Sequence, residues 1–193
     1  MRTLMRRALT PFAVVLLAAC GGDNDKVVGD AAEQVEPSSR TLAATLQAED
    51  GFGTLGRAAT NAGLKNVLDG VGPYTLFAPA DAAFAAGGAP TDVTDESRRA
   101  ESAALLRAHI VPGALTRRDI AAALERDADG SVQMRTMANT LLTFSRDGEA
   151  IVVASEGGAR GRLTGEERLA SNGVMQPVDG LLIGPEGGPT PAA

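Results

Sequence analysis

Cys20 is the only cysteine in the chain, and this limits how the chain can fold. Without a second thiol there is no intramolecular disulfide, so the fold has to rest on a buried core. Hydrophobic residues make up 44% of the 193 positions, enough to fill the core of one domain. Aromatic residues are only 3% and tryptophan is absent, so Leu, Val, Ile and Ala must supply that core. The same scarcity argues against single-stranded nucleic-acid binding, which depends on aromatic stacking platforms.

Cys20 closes the segment MRTLMRRALTPFAVVLLAAC. Arg2, Arg6 and Arg7 form a positive start, Ala8 to Ala19 is short and mostly apolar, and small residues end it. That is the three-part pattern of a secretory signal over residues 1–19. It falls short of the roughly 20 apolar residues of a spanning helix. Leu17-Ala18-Ala19-Cys20 resembles a bacterial lipobox. The resemblance implies that the Cys20 thiol is acylated and becomes the mature amino terminus, with membrane lipid as its partner. Two or more acyl chains anchor stably where one binds only marginally. The alternative is an ordinary cleaved signal with a chance cysteine. Gly21, rather than Asp, follows Cys20, which favours the outer membrane of a two-membrane envelope.

Formal net charge is −6; removing residues 1–19 leaves 15 basic and 24 acidic side chains, about −9. Such a chain is repelled by nucleic acid and by anionic lipid head groups. Residues 20–40 are polar and weakly periodic and read as the lipidated terminus and a flexible tether. Residues 186–193 belong to a Gly/Pro-rich tail expected to be disordered. Residues 41–185 between them form one expected domain, without internal repeats.

Within it, helices are expected over Leu42–Ala48 with Thr41 as cap, across Phe52, Leu55, Ala59 and Ala62, and at Leu64–Leu68. Tyr74–Ala78 reads as a strand, and Asp81 as the cap of a brief helix through Phe84. A helix over Ala100–Ala108 leads into extended Ile110-Val111, and Thr116 caps a helix through Leu124. After Gly130 the pattern changes. Leu142, Phe144, Ile151 and Val153 alternate with polar residues around Asp147-Gly148, a two-residue hairpin signal. Further strands are expected at Val132–Met137, Gly173–Val178 and Leu181–Ile183. Helices first and strands later predict an α+β domain.

Three blocks in order, Gly72-Pro73-Tyr74-Thr75-Leu76-Phe77-Ala78-Pro79-Ala80-Asp81-Ala82-Ala83-Phe84, Leu105-Leu106-Arg107-Ala108-His109-Ile110-Val111-Pro112-Gly113 and Ala170-Ser171-Asn172-Gly173-Val174-Met175-Gln176-Pro177-Val178-Asp179-Gly180-Leu181-Leu182, resemble the fasciclin domain. Leu42–Gly70 resembles its leading helices, so the likeness spans about 41–185. It implies a wedge of β-strands with a cluster of N-terminal helices, and an adhesion or interaction module outside the cytoplasm, not an enzyme. Tyr74, Phe77, Asp81, His109, Asn172 and Asp179 are the binding candidates the family blocks imply.

Physical chemistry favours fold-specifying roles for the block residues first. Pro79 stops a strand, Asp81 starts a helix, and Pro112-Gly113 and Asn172-Gly173 turn the chain. The Tyr-His pair tied to integrin binding in some animal members is here Ala108-His109, and Gln176 stands where the family often has His. His109, the only histidine, lies beside apolar Ile110-Val111. Burial with backbone hydrogen bonds is the favoured reading, with binding or pH sensing as the alternative.

Other motifs fail on context. Gly51-x-Gly53-x-x-Gly56 spells a dinucleotide fingerprint, but it follows a helical segment and no βαβ unit surrounds it. Asp127-x-Asp129-Gly130 suggests a calcium loop, yet counting from Glu125 puts Thr136 at position 12, where a bidentate Glu is needed. No G-x-S-x-G elbow and no paired-histidine zinc spacing is present. No cofactor, metal or catalytic set is therefore expected. The expected function is a surface-anchored module that contacts another protein or a matrix polysaccharide. The alternative is a periplasmic small-ligand or stress-sensing protein with a pocket near residues 72–84 and 105–113.

Overall fold

The computed structural model describes residues 38–86, 93 and 95–183. The expected signal, Cys20, the tether up to residue 37 and the tail at 186–193 lie outside the described residues. The observed domain is α+β, with two four-stranded sheets and helices packed around them.

Three short helices lead: α1 (Leu42–Ala48), α2 (Gly53–Asn61) and α3 (Lys65–Asp69). Thr41 caps α1 as expected, its Oγ1 accepting from the Ala44 amide at 3.3 Å and donating to Asp69 Oδ1 at 2.6 Å. Strand β1 (Tyr74–Pro79) and helix α4 (Asp81–Ala86) follow. Next come α5 (Arg99–Ala108), β2 (Ile110–Pro112) and α6 (Arg117–Arg126). The start of α6 is a capping box between Thr116 and Asp119.

The first sheet has the order β2-β1-β8-β7, with β7 at Arg168–Ala170 and β8 at Gly173–Val178. Its centre is the parallel pair β1–β8, in register from Tyr74–Gly173 to Pro79–Val178. Both strands are buried on both faces, which is why they read as near-continuous apolar runs and not as alternating ones. Leu76, Ala78 and Met175 face a core shared with Leu42, Leu46, Leu55, Leu68 and Leu106. Phe77 and Val178 face a second core with Ile120, Leu124, Leu142, Phe144 and Val153. Each of the larger of these side chains contributes about 1.5–3 kcal/mol by leaving water.

The second sheet is an antiparallel meander, β3 (Ser131–Arg135), β4 (Leu141–Asp147), β5 (Ala150–Ser155) and β6 (Arg160–Arg162). Phe77 and Phe144 bridge the two sheets with ring centroids 5.3 Å apart. That separation lies in the favourable range for a tilted aromatic pair.

Several expectations need correction. The hairpin turn is centred on Gly148-Glu149, one residue later than expected, because Asp147 still pairs with Ala150. Among these residues only Gly148 has positive φ (63°), the signature of a turn with glycine at its first central position. Strand β3 ends at Arg135, not Met137, since the chain turns through Asn139 at φ 65°. Leu181–Ile183 is not a strand; the Leu182 amide is taken by a histidine ring and Leu181 and Leu182 plug the core. Among the described residues, Ser38 at the end of the expected tether donates its amide to the Leu169 carbonyl at 3.0 Å.

Candidate functional site

The six candidate residues are spread through the fold and bond mostly to its own backbone. Phe77 is fully buried against Phe144. Tyr74 is half-buried at the start of β1, between Pro112 and Gly173. Asn172 ties three elements together. Its Oδ1 accepts the Leu42 amide at 2.8 Å, and its Nδ2 donates to the carbonyls of Leu68 and Gly70 at 2.8 and 2.7 Å. Asp179 is exposed, with Oδ1 accepting the Arg162 amide at 2.6 Å.

Asp81 does not cap the helix it begins. Its Oδ1 accepts the Thr54 amide at 2.8 Å, so it supplies α2 with the cap that Phe52 cannot offer. Partial burial would raise its carboxyl pKa. Hydrogen bonds from Thr54 and Gly53, with Arg57 nearby, outweigh that and hold it below the usual carboxylate range.

His109 has no exposed surface. Its Nδ1 lies 2.8 Å from the Leu105 carbonyl and its Nε2 accepts the Leu182 amide at 3.0 Å. The acceptor role of Nε2 puts the ring proton on Nδ1. Burial depresses its pKa from 6.5 to about 4, with the Leu105 carbonyl opposing, so the ring is neutral at ordinary pH. Both ring nitrogens are used, and no proton acceptor faces solvent.

A polar network escaped the sequence reading. Fully buried Gln176 donates from Nε2 to Glu167 Oε2 at 2.6 Å and to the Leu115 carbonyl at 3.0 Å. Its Oε1 accepts from Arg117 Nε at 3.2 Å, and Arg117 Nη1 reaches the Gly165 carbonyl at 2.6 Å. The network pins the loop before β7 to the start of α6. The departure at Gln176 was visible in the sequence, but its partners 59 and 9 residues away were not.

Of the six candidates, Asn172 borders open surface. One shallow groove of about 670 Å³ runs past Gly70, Val71, Pro73, Leu169 and Val174 at the end of the first sheet. Val71 stands on its rim, 95% exposed. A second groove of about 670 Å³ lies between α1 and α2, beside Leu46, Phe52, Gly56 and Arg57.

The family model for the fasciclin domain matches residues 50–184. The chain belongs to the fasciclin family. Among fasciclin relatives, the chain is 26% identical over 183 residues to Protein sll1483 of Synechocystis, covering 92% of this chain and 93% of that one. It is 29% identical over 140 residues to the transforming growth factor-beta-induced protein ig-h3 of Sus scrofa. That match takes in 72% of this chain but only 18% of ig-h3. The fold matches the fasciclin domain pair of the insect cell adhesion molecule Fasciclin I at a TM-score of 0.56 and 22% identity. There the likeness covers 70% of this chain and 46% of the pair.

Proposed function

We propose that the chain is a lipid-anchored fasciclin module of the cell envelope that works by binding another protein or a matrix polysaccharide, and not by catalysis. One observation carries the reading: the fasciclin match over residues 50–184 begins 30 residues after a lipobox-like Cys20. Family context supports adhesion, since one solved relative is a cell adhesion molecule. The inward use of His109 supports binding over catalysis, because the chain's only imidazole is neutral and sealed from substrate. Gly21 after the cysteine supports the outer membrane where the envelope has two.

Two measurements test this. Cys20→Ser is expected to release the protein from membranes or leave its signal uncut; a correctly cleaved variant that stays membrane-bound defeats the anchor. Deletion of the gene is expected to weaken adhesion or biofilm cohesion. Unchanged attachment together with loss of a small-molecule conversion defeats the binding role.

The groove past Gly72 and Pro73 favours a second reading, a small-ligand sensor. It touches the first family block but not residues 105–113. Ligand-dependent thermal shifts abolished by Val71→Glu would support it.

A further inference from the structure

Strand edges that lack partners present rows of unpaired N–H and C=O groups, and folds usually cover them. Three of the four sheet edges here are covered among the described residues. Strand β7 receives the Ser38 amide on Leu169 and gives the Ser171 amide just beyond it to Arg40. Strand β2 is short, ends in Pro112 and takes the Met137 amide on Ile110. Strand β6 is covered by Asp179 and Gly180: the Asp179 amide and carboxylate bond to both backbone groups of Arg162, and the Gly180 backbone lies against Arg160.

Strand β3 differs. In an antiparallel ladder, alternate residues turn their backbone groups toward the partner strand. The Thr136 amide donates to the Thr140 carbonyl, so the even positions of β3 face β4 and the odd positions face outward. At one end the outward Ser131 amide is taken by Asp127 Oδ1 at 3.2 Å. At the other the Met137 amide meets Ile110. Between them the backbone N–H and C=O of Gln133 and Arg135 find no partner among the described residues. Both residues are exposed, and Val132 and Met134 on the other face of the strand are half-buried.

We propose that this edge pairs with the same edge of a second copy, two β3 strands running antiparallel about a two-fold axis at Met134. In that register Gln133 of each copy forms a hydrogen-bonded pair with Arg135 of the other. All four outward groups of each strand segment are then satisfied, and no bond is asked of the occupied Ser131 and Met137 amides. Met134 meets its own counterpart on the core side, and the neutral amide of Gln133 lies opposite the Arg135 guanidinium on the solvent side, so no like charges face each other. The two-fold makes the contact self-complementary and closed, and joins two four-stranded sheets into one of eight. The window admits only a few residues between its two turns, which fits this reciprocal match better than a long foreign strand. The pairing does not depend on the lipid anchor.

Sedimentation velocity of the full chain in mild detergent, across a protein concentration series, tests it. The expected result is a reversible monomer–dimer equilibrium. Gln133→Lys, which sets a cation opposite Arg135, should weaken it on the order of tenfold, and Gln133→Glu should strengthen it by several-fold. Both variants should stay close to the parent unfolding temperature, because the one bond this exposed side chain makes among the described residues, from Nε2 to Thr143 Oγ1, is long at 3.4 Å. Hydrogen exchange should show the Gln133 and Arg135 amides gaining protection as concentration rises. A chain that stays monomeric throughout, or a dimer that responds alike to both charges, overturns the proposal. Protection that appears only after an envelope extract is added also overturns it, in favour of a foreign strand.

Discussion

The Nε2 of His109 accepts the backbone N–H of Leu182 at 3.0 Å across 73 residues of chain. One imidazole thus clips the segment after the last strand onto the end of α5, with its Nδ1 held by Leu105. The clip works only while the ring is neutral, since a protonated Nε2 cannot accept. Folding therefore takes a proton off this group in the range where the unfolded chain would hold one. With a pKa of 6.5 unfolded and about 4 folded, the stabilisation is complete above pH 6.5 and is lost as pH falls from there towards 4. The total loss is roughly 3 kcal/mol. Thermal unfolding followed between pH 7 and 4 should show this slope, and His109→Gln should flatten it while lowering stability at pH 7. An unchanged slope in the variant would mean that other groups carry the acid sensitivity.

Asn172 uses three hydrogen bonds to fix the start of α1 and the end of α3 against the turn before β8. Asn172→Ala should cost about 2–4 kcal/mol, the sum of several such bonds and of the groups left unpaired. Urea unfolding measures it. Asn172→Asp should be as damaging, because it keeps the acceptor for Leu42 but turns a carboxylate towards two carbonyls.

Asp81→Ala should cost about 0.5–2 kcal/mol, the usual worth of a helix cap. The damage should appear in α2, seen as faster hydrogen exchange at Thr54 and Leu55, and not in the helix that Asp81 begins. Asp81→Asn, which keeps an acceptor, should recover most of the loss.

A side chain at Gly173 would put its Cβ 1.9 Å from the Tyr74 carbonyl oxygen. Backbone, not a flexible side chain, occupies that space. Gly173→Ala should therefore force β1 and β8 apart and destabilise the domain by about 3 kcal/mol or more. Gly148→Ala, at a position with open space but φ 63°, should cost only about 1–2 kcal/mol through backbone strain. Reversal of that order would show that the central strand pair tolerates separation.

Local chemistry was what the sequence displayed best. Thr41 and Thr116 marked helix starts correctly because a cap acts within three residues. Tyr74–Ala78 and Gly173–Val178 stood out as strands because burial on both faces demands a continuous apolar run. Strands β6 and β7 went unread, since three residues carry no period to detect. Leu181–Ile183 looked like a strand because an apolar run says that a segment is buried, not how its amides are satisfied. The candidate residues came from family blocks, and their partners lie far along the chain: Asp81 with Thr54, Asn172 with Leu42, His109 with Leu182. Only the folded arrangement shows that these polar groups spend their bonds inside the domain. The open β3 edge is likewise invisible in Ser131–Arg135 alone, because it is defined by what does not pair with it.

Tyr74 and its neighbour Gly173 in the central strand pair stand 99 positions apart. The last strand is thus the keystone: until residues 173–178 arrive, β1 has no parallel partner and Leu76 and Phe77 have no completed wall on either side. A ribosome or translocation channel releasing this chain from its amino end would hand over almost the entire domain before it could close. The central pairing therefore predicts a chain that stays threadable until its final stretch emerges.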